Sequence, residues 1–154
     1  MTKPLVSIIT PCYNGEAFLK RYFESILNQT YPNLELIFIN DGSTDRTEEI
    51  ALSYRERLEK RGITYIYEKQ ENAGQAAALN RGLKLFTGEY LTWPDSDDVM
   101  VSDAVEKKVD YLEQHPDYGF CICKTKVVNE NNPEMKCGYY AVSYTHLRAH
   151  ETRR

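Results

Sequence analysis

Residues 93–98 read Trp-Pro-Asp-Ser-Asp-Asp, directly after the run Glu89–Thr92, and put three carboxylates into four positions. Like charges this close repel, so solvent, a helix N-terminus or a cation has to offset them. In an extended segment residues i and i+2 point to the same side, so Asp95 and Asp97 can converge on one object. Two hard oxygen ligands without Cys or His suit Mg²⁺ or Mn²⁺, which keep waters and take further oxygens from phosphates. The competing reading is a solvated acidic loop capping the helix that follows Ser102, with Asp98 no more than a charge near that helix N-terminus. On spacing alone, that loop is the commoner outcome.

Three further stretches carry groups of comparable interest. Tyr13, in Pro11-Cys12-Tyr13-Asn14, can stack on a flat base or pack partly buried. Asp41, in Asn40-Asp41-Gly42-Ser43, can fix a turn, or its acceptor oxygens can take an N–H from a pyrimidine ring. Asn72-Ala73-Gly74 reads as a loop entering a helix, where Gly74 would let the backbone approach a ligand closely. For each residue alone the structural reading is favoured. Convergence of all of them on one rim would change that.

The elements that must position these residues follow from hydrophobic periodicity. Leu5–Thr10 is a short β-branched run ending at Pro11 and predicts a strand. Phe18, Leu19, Tyr22, Phe23, Ile26 and Leu27 recur at three- and four-residue spacing, one face of a helix. Leu34–Ile39 predicts a second strand. Asp45 with Glu48 resembles a capping box opening a helix that runs to Gly62. Ile63–Tyr67 is a third strand, Ala76, Leu79, Leu83 and Phe86 mark a third helix, and Glu89–Trp93 is a fourth strand. Val105, Val109 and Leu112 mark a helix stopped at His115-Pro116, and Gly119–Val128 predicts a fifth strand. Such alternation argues for an α/β fold with a mostly parallel sheet and right-handed crossovers. Ligands then sit at the carboxyl ends of the strands, where strand order reverses. Pro11–Asn14, Asn40–Ser43 and Asp95–Asp98 fall at three such ends.

A chain of 154 residues suits one domain that buries roughly 70% of its unfolded surface. With 19 basic and 23 acidic residues and no basic block, nothing favours a nucleic-acid partner, whose phosphates need Lys and Arg. No apolar stretch approaches the ~20 residues of a membrane span, and the first residues lack a signal-peptide core. A cytoplasmic location is expected, with the full-length parent able to lie peripherally at the inner membrane face. Cys12, Cys121, Cys123 and Cys137 form no paired metal-binding spacing and are read as reduced, packed thiols.

Taken together, VSIITPCYNGEAFLKRYFESILNQTY, LELIFINDGSTDRTEEI, ENAGQAAALNRGL and GEYLTWPDSDD resemble the inverting family 2 glycosyltransferases of the GT-A fold, a Rossmann-like α/β plan. The resemblance runs from about Leu5 to about Val128. It implies that Pro11 and Tyr13 line a nucleotide base pocket, with Tyr13 near the ring face and Asp41 at the base edge. Asp97 would bind a divalent cation, Mg²⁺ or Mn²⁺, while Asp95 would reach the ribose or a metal-bound water and share the metal site. Asn72 and Gly74 would sit beside the donor. The implied activity is transfer of a sugar from a nucleotide-diphosphate sugar, a UDP-sugar being favoured, to an acceptor hydroxyl with inversion. The acceptor of the full-length parent would be a saccharide or a lipid-linked molecule.

An inverting transfer also needs a general base, which in this family lies beyond the metal motif; Glu134 and Glu151 fall in no matching motif. Residues 1–141 are therefore read as the donor-binding half of a GT-A domain, incomplete at its C-terminal side and inactive alone. Residues 142–154 resemble translated sequencing-adapter read-through and are expected to be foreign to the fold, so His146 and His150 receive no role. The alternative is a nucleotide-binding module without turnover. A nucleotidyltransferase would want a Gly-rich basic loop after the first strand, and a dinucleotide-dependent dehydrogenase a G-x-G-x-x-G that no strand here precedes.

Overall fold

The computed structural model describes residues 3–127, 139–141 and 146–148. Its centre is built from the two most apolar runs, β1 (Val6–Cys12) and β2 (Leu34–Asp41), each buried at every position, as parallel strands covered on both faces should be. β3 (Thr64–Gln70) lies outside β2 and β4 (Tyr90–Thr92) on the far side of β1, all parallel. The order is thus β3-β2-β1-β4, a mostly parallel sheet as expected.

Helices cover both faces. α1 (Leu19–Leu27) packs Leu19, Tyr22, Phe23 and Ile26 against Val6, Ile8, Leu34, Leu36 and Phe38. α2 (Thr47–Ser53), α3 (Arg55–Lys60) and α5 (Ala104–Gln114) add Ala51, Leu58, Val105, Val109 and Leu112 to the same core. On the opposite face α4 (Gln75–Gly82) and the turns after it set Ala78 and Phe86 against Ile9, Ile37, Ile39 and Leu91. The period-2 alternation of β2 therefore sends Leu34, Leu36 and Phe38 one way and Ile37 and Ile39 the other.

Several expectations need correction. The second helix is not continuous to Gly62: it breaks between α2 and α3 at Tyr54, whose ring stacks on Phe23 at 4.7 Å. No reciprocal capping box forms there. Asp45 Oδ1 accepts the Thr47 N–H at 2.9 Å, but Glu48 reaches outward to pair with Lys69. α5 has no side-chain cap of its own. Its Val105 N–H instead donates to Gln29 Oε1 at 3.3 Å, while the Gln29 amide donates to the carbonyls of Ser25 and Val101.

The fifth strand is shorter than Gly119–Val128. β5 (Phe120–Cys121) joins the main sheet, whereas β6 (Lys124–Lys126) leaves it to pair antiparallel with β7 (Tyr139–Ala141). Within the stretch expected to be foreign, β8 (His146–Arg148) lies antiparallel between β4 and β5. Glu134, Cys137, His150 and Glu151 lie outside the described residues. Cys12 is buried and Cys121 and Cys123 are partly so, all as free thiols. No helix among the described residues is long and apolar enough to cross a membrane.

Candidate functional site

Strand order reverses between β1 and β4, the place where open α/β sheets hold ligands. Of β1, only Val6–Ile8 pair with β4, so among the described residues the remainder of β1 has no strand neighbour on that side. Pro94, which lacks an N–H, follows almost at once and turns the chain away. The gap becomes a cleft of about 310 Å³. Pro11, Tyr13, Asp41, Asp95 and Asp97 line it together, with Cys12, Asn14, Gly15, Phe18, Gln75 and Ser96. Three polar clusters from separate stretches thus share one hollow.

Tyr13 is 54% exposed, which excludes the reading of it as a partly buried packing residue and leaves its ring open at the rim. The backbone beside it is held by a reciprocal lattice between two loops. The Asn14 N–H donates to Ser43 Oγ at 3.0 Å, and Asn14 Oδ1 accepts the Thr44 N–H at 2.9 Å. Gly15 N–H donates to Thr47 Oγ1 at 2.8 Å, Glu16 N–H to Asp45 Oδ2 at 3.0 Å, and Arg46 N–H to Glu16 Oε2 at 2.8 Å. Asn14 takes a φ of 50°, a left-handed conformation that Asn tolerates better than most residues.

Asp41 ends β2 and is buried to all but 3%. Its Oδ1 accepts from Gln70 Nε2 at 2.7 Å and from the Ala73 N–H at 2.9 Å, and its Oδ2 from the Gly74 N–H at 2.9 Å. Burial works against ionisation, but the N–H groups of Ala73 and Gly74 and the Gln70 amide together hold the carboxyl below the usual carboxylate range. Asp41 therefore holds the loop at 70–74 and not its own turn, where Asn40 Oδ1 accepts the Ser43 N–H at 2.9 Å, and it also faces the cleft.

Asn72 and Gly74 stand apart from the other expected site residues, because neither lines the cleft. Asn72 is exposed and sits against the turn after β2. A Cβ on Gly42, whose φ is +72°, would lie 2.6 Å from the Asn72 nitrogen, so that turn needs glycine twice over. Gly74 has a φ of 89° and a ψ of 161°, a backbone region nearly closed to other residues. Nothing lies within 4 Å of where its Cβ would be. Backbone freedom, and not a close approach of other described parts of the chain, is what the position uses within the protein.

The acidic segment forms a turn in which the Asp98 N–H donates to the Asp95 carbonyl at 3.2 Å. Gln75 Nε2 donates to Asp95 Oδ1 at 2.7 Å. Burial and then the charge of Asp97 push Asp95 above the usual carboxylate range, against the Gln75 bond. Burial, then Asp97, then Asp95 raise Asp98 to about 6. Asp97 is exposed. Clustered carboxylates of this kind, offering only oxygen ligands, fit a hard divalent cation that completes its shell with water and phosphate. Among the described residues no group of three Cys, His, Asp or Glu side chains forms a ready-made metal cage, so these residues would supply at most part of such a shell.

Sequence reasoning missed Gln75 and Thr47, and it placed Asn14 and Ser43 in the rim clusters without finding that they bond to each other. The first was within reach, since it follows Gly74 at the predicted start of a helix. The others act through contacts 29 to 32 residues apart, which no local pattern encodes.

Comparison with known proteins gives a consistent picture. The family described as Glycosyl transferase family 2 matches residues 7–152. An uncharacterized glycosyltransferase of Rickettsia prowazekii is 38% identical over 135 residues, covering 87% of this chain and 40% of the relative. Another, of Haemophilus influenzae, is 42% identical over 127 residues, covering 79% of this chain and 50% of the relative. The chain thus spans half or less of the length of these relatives. Among solved structures, the mannosyltransferase PcManGT of Pyrobaculum calidifontis, in complex with GDP-Man and Mn²⁺, superposes with a TM-score of 0.72 at 29% identity, over 82% of this chain and 37% of that one. The α/β sheet described above therefore matches the GT-A architecture over part of its length.

Proposed function

The chain belongs to glycosyltransferase family 2, and on that premise we propose that its cleft binds the nucleotide-diphosphate part of a sugar donor, a UDP-sugar being favoured. The whole protein would transfer the sugar, with inversion, to a hydroxyl of a saccharide or lipid-linked acceptor. The observation that carries this reading is the meeting of Pro11, Tyr13, Asp41, Asp95 and Asp97 around one hollow at the switch point of the sheet.

Each side chain has a task its environment suits. Pro11 and the open ring of Tyr13 offer a flat apolar surface for a base. A carboxylate accepts about four hydrogen bonds; Asp41 has three from its own loop, leaving capacity for one N–H from a pyrimidine edge. Asn72 and Gly74 contribute by shaping the loop that Asp41 holds. Asp97, with Asp95, would hold Mg²⁺ or Mn²⁺. Such a cation supplies Lewis-acid stabilisation of charge developing on the leaving diphosphate. The Mn²⁺ named with PcManGT supports this choice of ion.

A second reading, a nucleotide-binding module without turnover, is favoured for the 154 residues taken alone. Transfer needs a base to take the acceptor proton. The carboxylates lining the cleft, Asp41, Asp95 and Asp97, are all assigned to the donor.

The deciding experiment is calorimetric titration of UDP and GDP with and without Mn²⁺, on the wild type and on Asp97→Ala. Tighter binding in Mn²⁺, lost by tenfold or more in Asp97→Ala (about 1.4 kcal/mol), is expected. Binding indifferent to the metal in the wild type would refute the reading. Measurable sugar transfer by this chain would refute the claim that it is inactive alone.

A further inference from the structure

Gln75 opens α4, and its long polar side chain crosses to the acidic turn, where Nε2 donates to Asp95 Oδ1 at 2.7 Å. It also lines the cleft between Asp41 and Asp95. Its backbone is unusually well fixed for an exposed residue. The peptide N–H groups of the two preceding residues, Ala73 and Gly74, both donate to the Asp41 carboxylate at 2.9 Å. Gly74 further sets the entry angle of the helix with its positive φ. From the other side, the Ala78 N–H donates to the Gly74 carbonyl at 3.1 Å and starts the helical ladder. A continuous set of hydrogen bonds thus runs from the end of β2, through residues 73–75, to the turn after β4.

A carboxylate that is to ligate a cation has a soft terminal torsion. A partner on one oxygen selects its orientation before the cation arrives. Metal-binding carboxylates commonly need such outer partners, and removing one costs about 10–100-fold in metal affinity. Fixing a glutamine side chain through such a bond costs conformational entropy. Gln75 is uncharged, so it steadies Asp95 without neutralising it, whereas a Lys or Arg there would compete with a cation.

We propose that Gln75 is a positioning residue that orients Asp95 for a divalent cation from an N-terminal helix position locked by Asp41. This rests on the reading of the cleft as a metal–nucleotide site, and it assigns Gln75 a role toward the cation and not toward the base.

The test uses the full 154-residue chain with GDP and UDP as probes, and reads the ratio of the metal-free to the Mn²⁺-saturated dissociation constant. Gln75→Ala is expected to lower that ratio about tenfold, the metal-free dissociation constant of the same variant serving as its reference. Gln75 is exposed, so the melting temperature should hold and folding does not confound the result. In an Asp95→Ala background, Gln75→Ala should change nothing further, because the partner it orients is gone. An unchanged ratio in Gln75→Ala overturns the inference. So does an equal loss in both backgrounds, which would mark a general structural effect. A wild-type ratio of one would refute the functional reading itself, and the inference with it.

Discussion

β2 carries a buried carboxylate at each end, Glu35 near its start and Asp41 at its finish, both 3% exposed. Six residues apart, they lie on the same face of the strand, separated by about 20 Å. Their surroundings differ. Glu35 Oε1 accepts from Ser7 Oγ at 2.6 Å and the Thr87 N–H at 2.9 Å, and Oε2 accepts from Thr87 Oγ1 at 2.9 Å. Ser7 Oγ in turn accepts the Gly88 N–H at 2.9 Å, so the network closes on itself and stitches the loop before β4 to the amino ends of β1 and β2. Asp41 has an equal number of donors but opens onto the cleft. A buried, well-bonded acid is therefore no sign of function by itself. The sign is whether one side of it faces a hollow that other polar groups share.

The sharpest way to break this contrast is to remove Glu35. Glu35→Ala leaves the buried Ser7 hydroxyl, together with the N–H and hydroxyl of the exposed Thr87, without their acceptor. Hydrogen bonds to charged groups contribute about 1.5–3 kcal/mol each and unsatisfied donors add to the loss, so a destabilisation of about 3 kcal/mol is expected by urea denaturation. Glu35→Gln, which keeps one acceptor oxygen, should lose about 1 kcal/mol. Nucleotide affinity of the folded fraction should not move in either variant. A Glu35 variant that kept its stability but bound nucleotide more weakly would erase the distinction between the two ends.

How much of this was legible in the sequence follows from what drives each part. β1, β2, β3 and α1 could be read because burial of apolar side chains fixes them, and burial leaves a period. The convergence of Tyr13, Asp41 and Asp97 followed from topology, since all three stand at the carboxyl ends of parallel strands. The α2–α3 break, the trans cap of α5 by Gln29 and the Asn14–Ser43 lattice were not legible, because each depends on partners far away in sequence. Glu35 left a signal that could have been used. A single charge in Leu34–Ile39, a strand too apolar to have a solvent face, had to find donors inside.

The carboxyl end should also respond to pH in a way that sharpens the comparison. Asp98 is raised to about 6, first by burial and then by Asp97 and Asp95, from an ordinary value of 3.8. Its folded pKa lies above its unfolded one, so its contribution to stability is full below about pH 4 and is lost as pH rises through about 6. The group is partly solvated, which limits the effect to about 1 kcal/mol. Asp41 acts in the opposite sense: its lowered pKa gives stability present above pH 4 and lost on acidification. In chelator-treated protein, Asp98→Asn is expected to melt higher than wild type at pH 7.5 and equally at pH 4. A constant difference across that range would locate the effect in packing and not in charge.

The smallest expected effect tests how strictly the carboxyl end is built. Thr92, last residue of β4, is fully buried, and its hydroxyl has no hydrogen-bond partner among the described residues. At the amino end every polar atom of the Ser7–Glu35–Thr87 group is paired, so an orphaned hydroxyl one step before the Trp93-Pro94 turn stands out. Desolvating a hydroxyl without compensation costs about 1–3 kcal/mol, and valine keeps nearly the same shape. Thr92→Val should therefore stabilise the protein by about 1 kcal/mol in urea denaturation, with the metal-dependent nucleotide affinity unchanged. If stability rises while that affinity falls, the hydroxyl belongs to the site, and the carboxyl end is holding an unpaired polar atom for a ligand. If stability falls, Thr92 has a partner in the folded protein, and the two ends of the sheet are equally well satisfied.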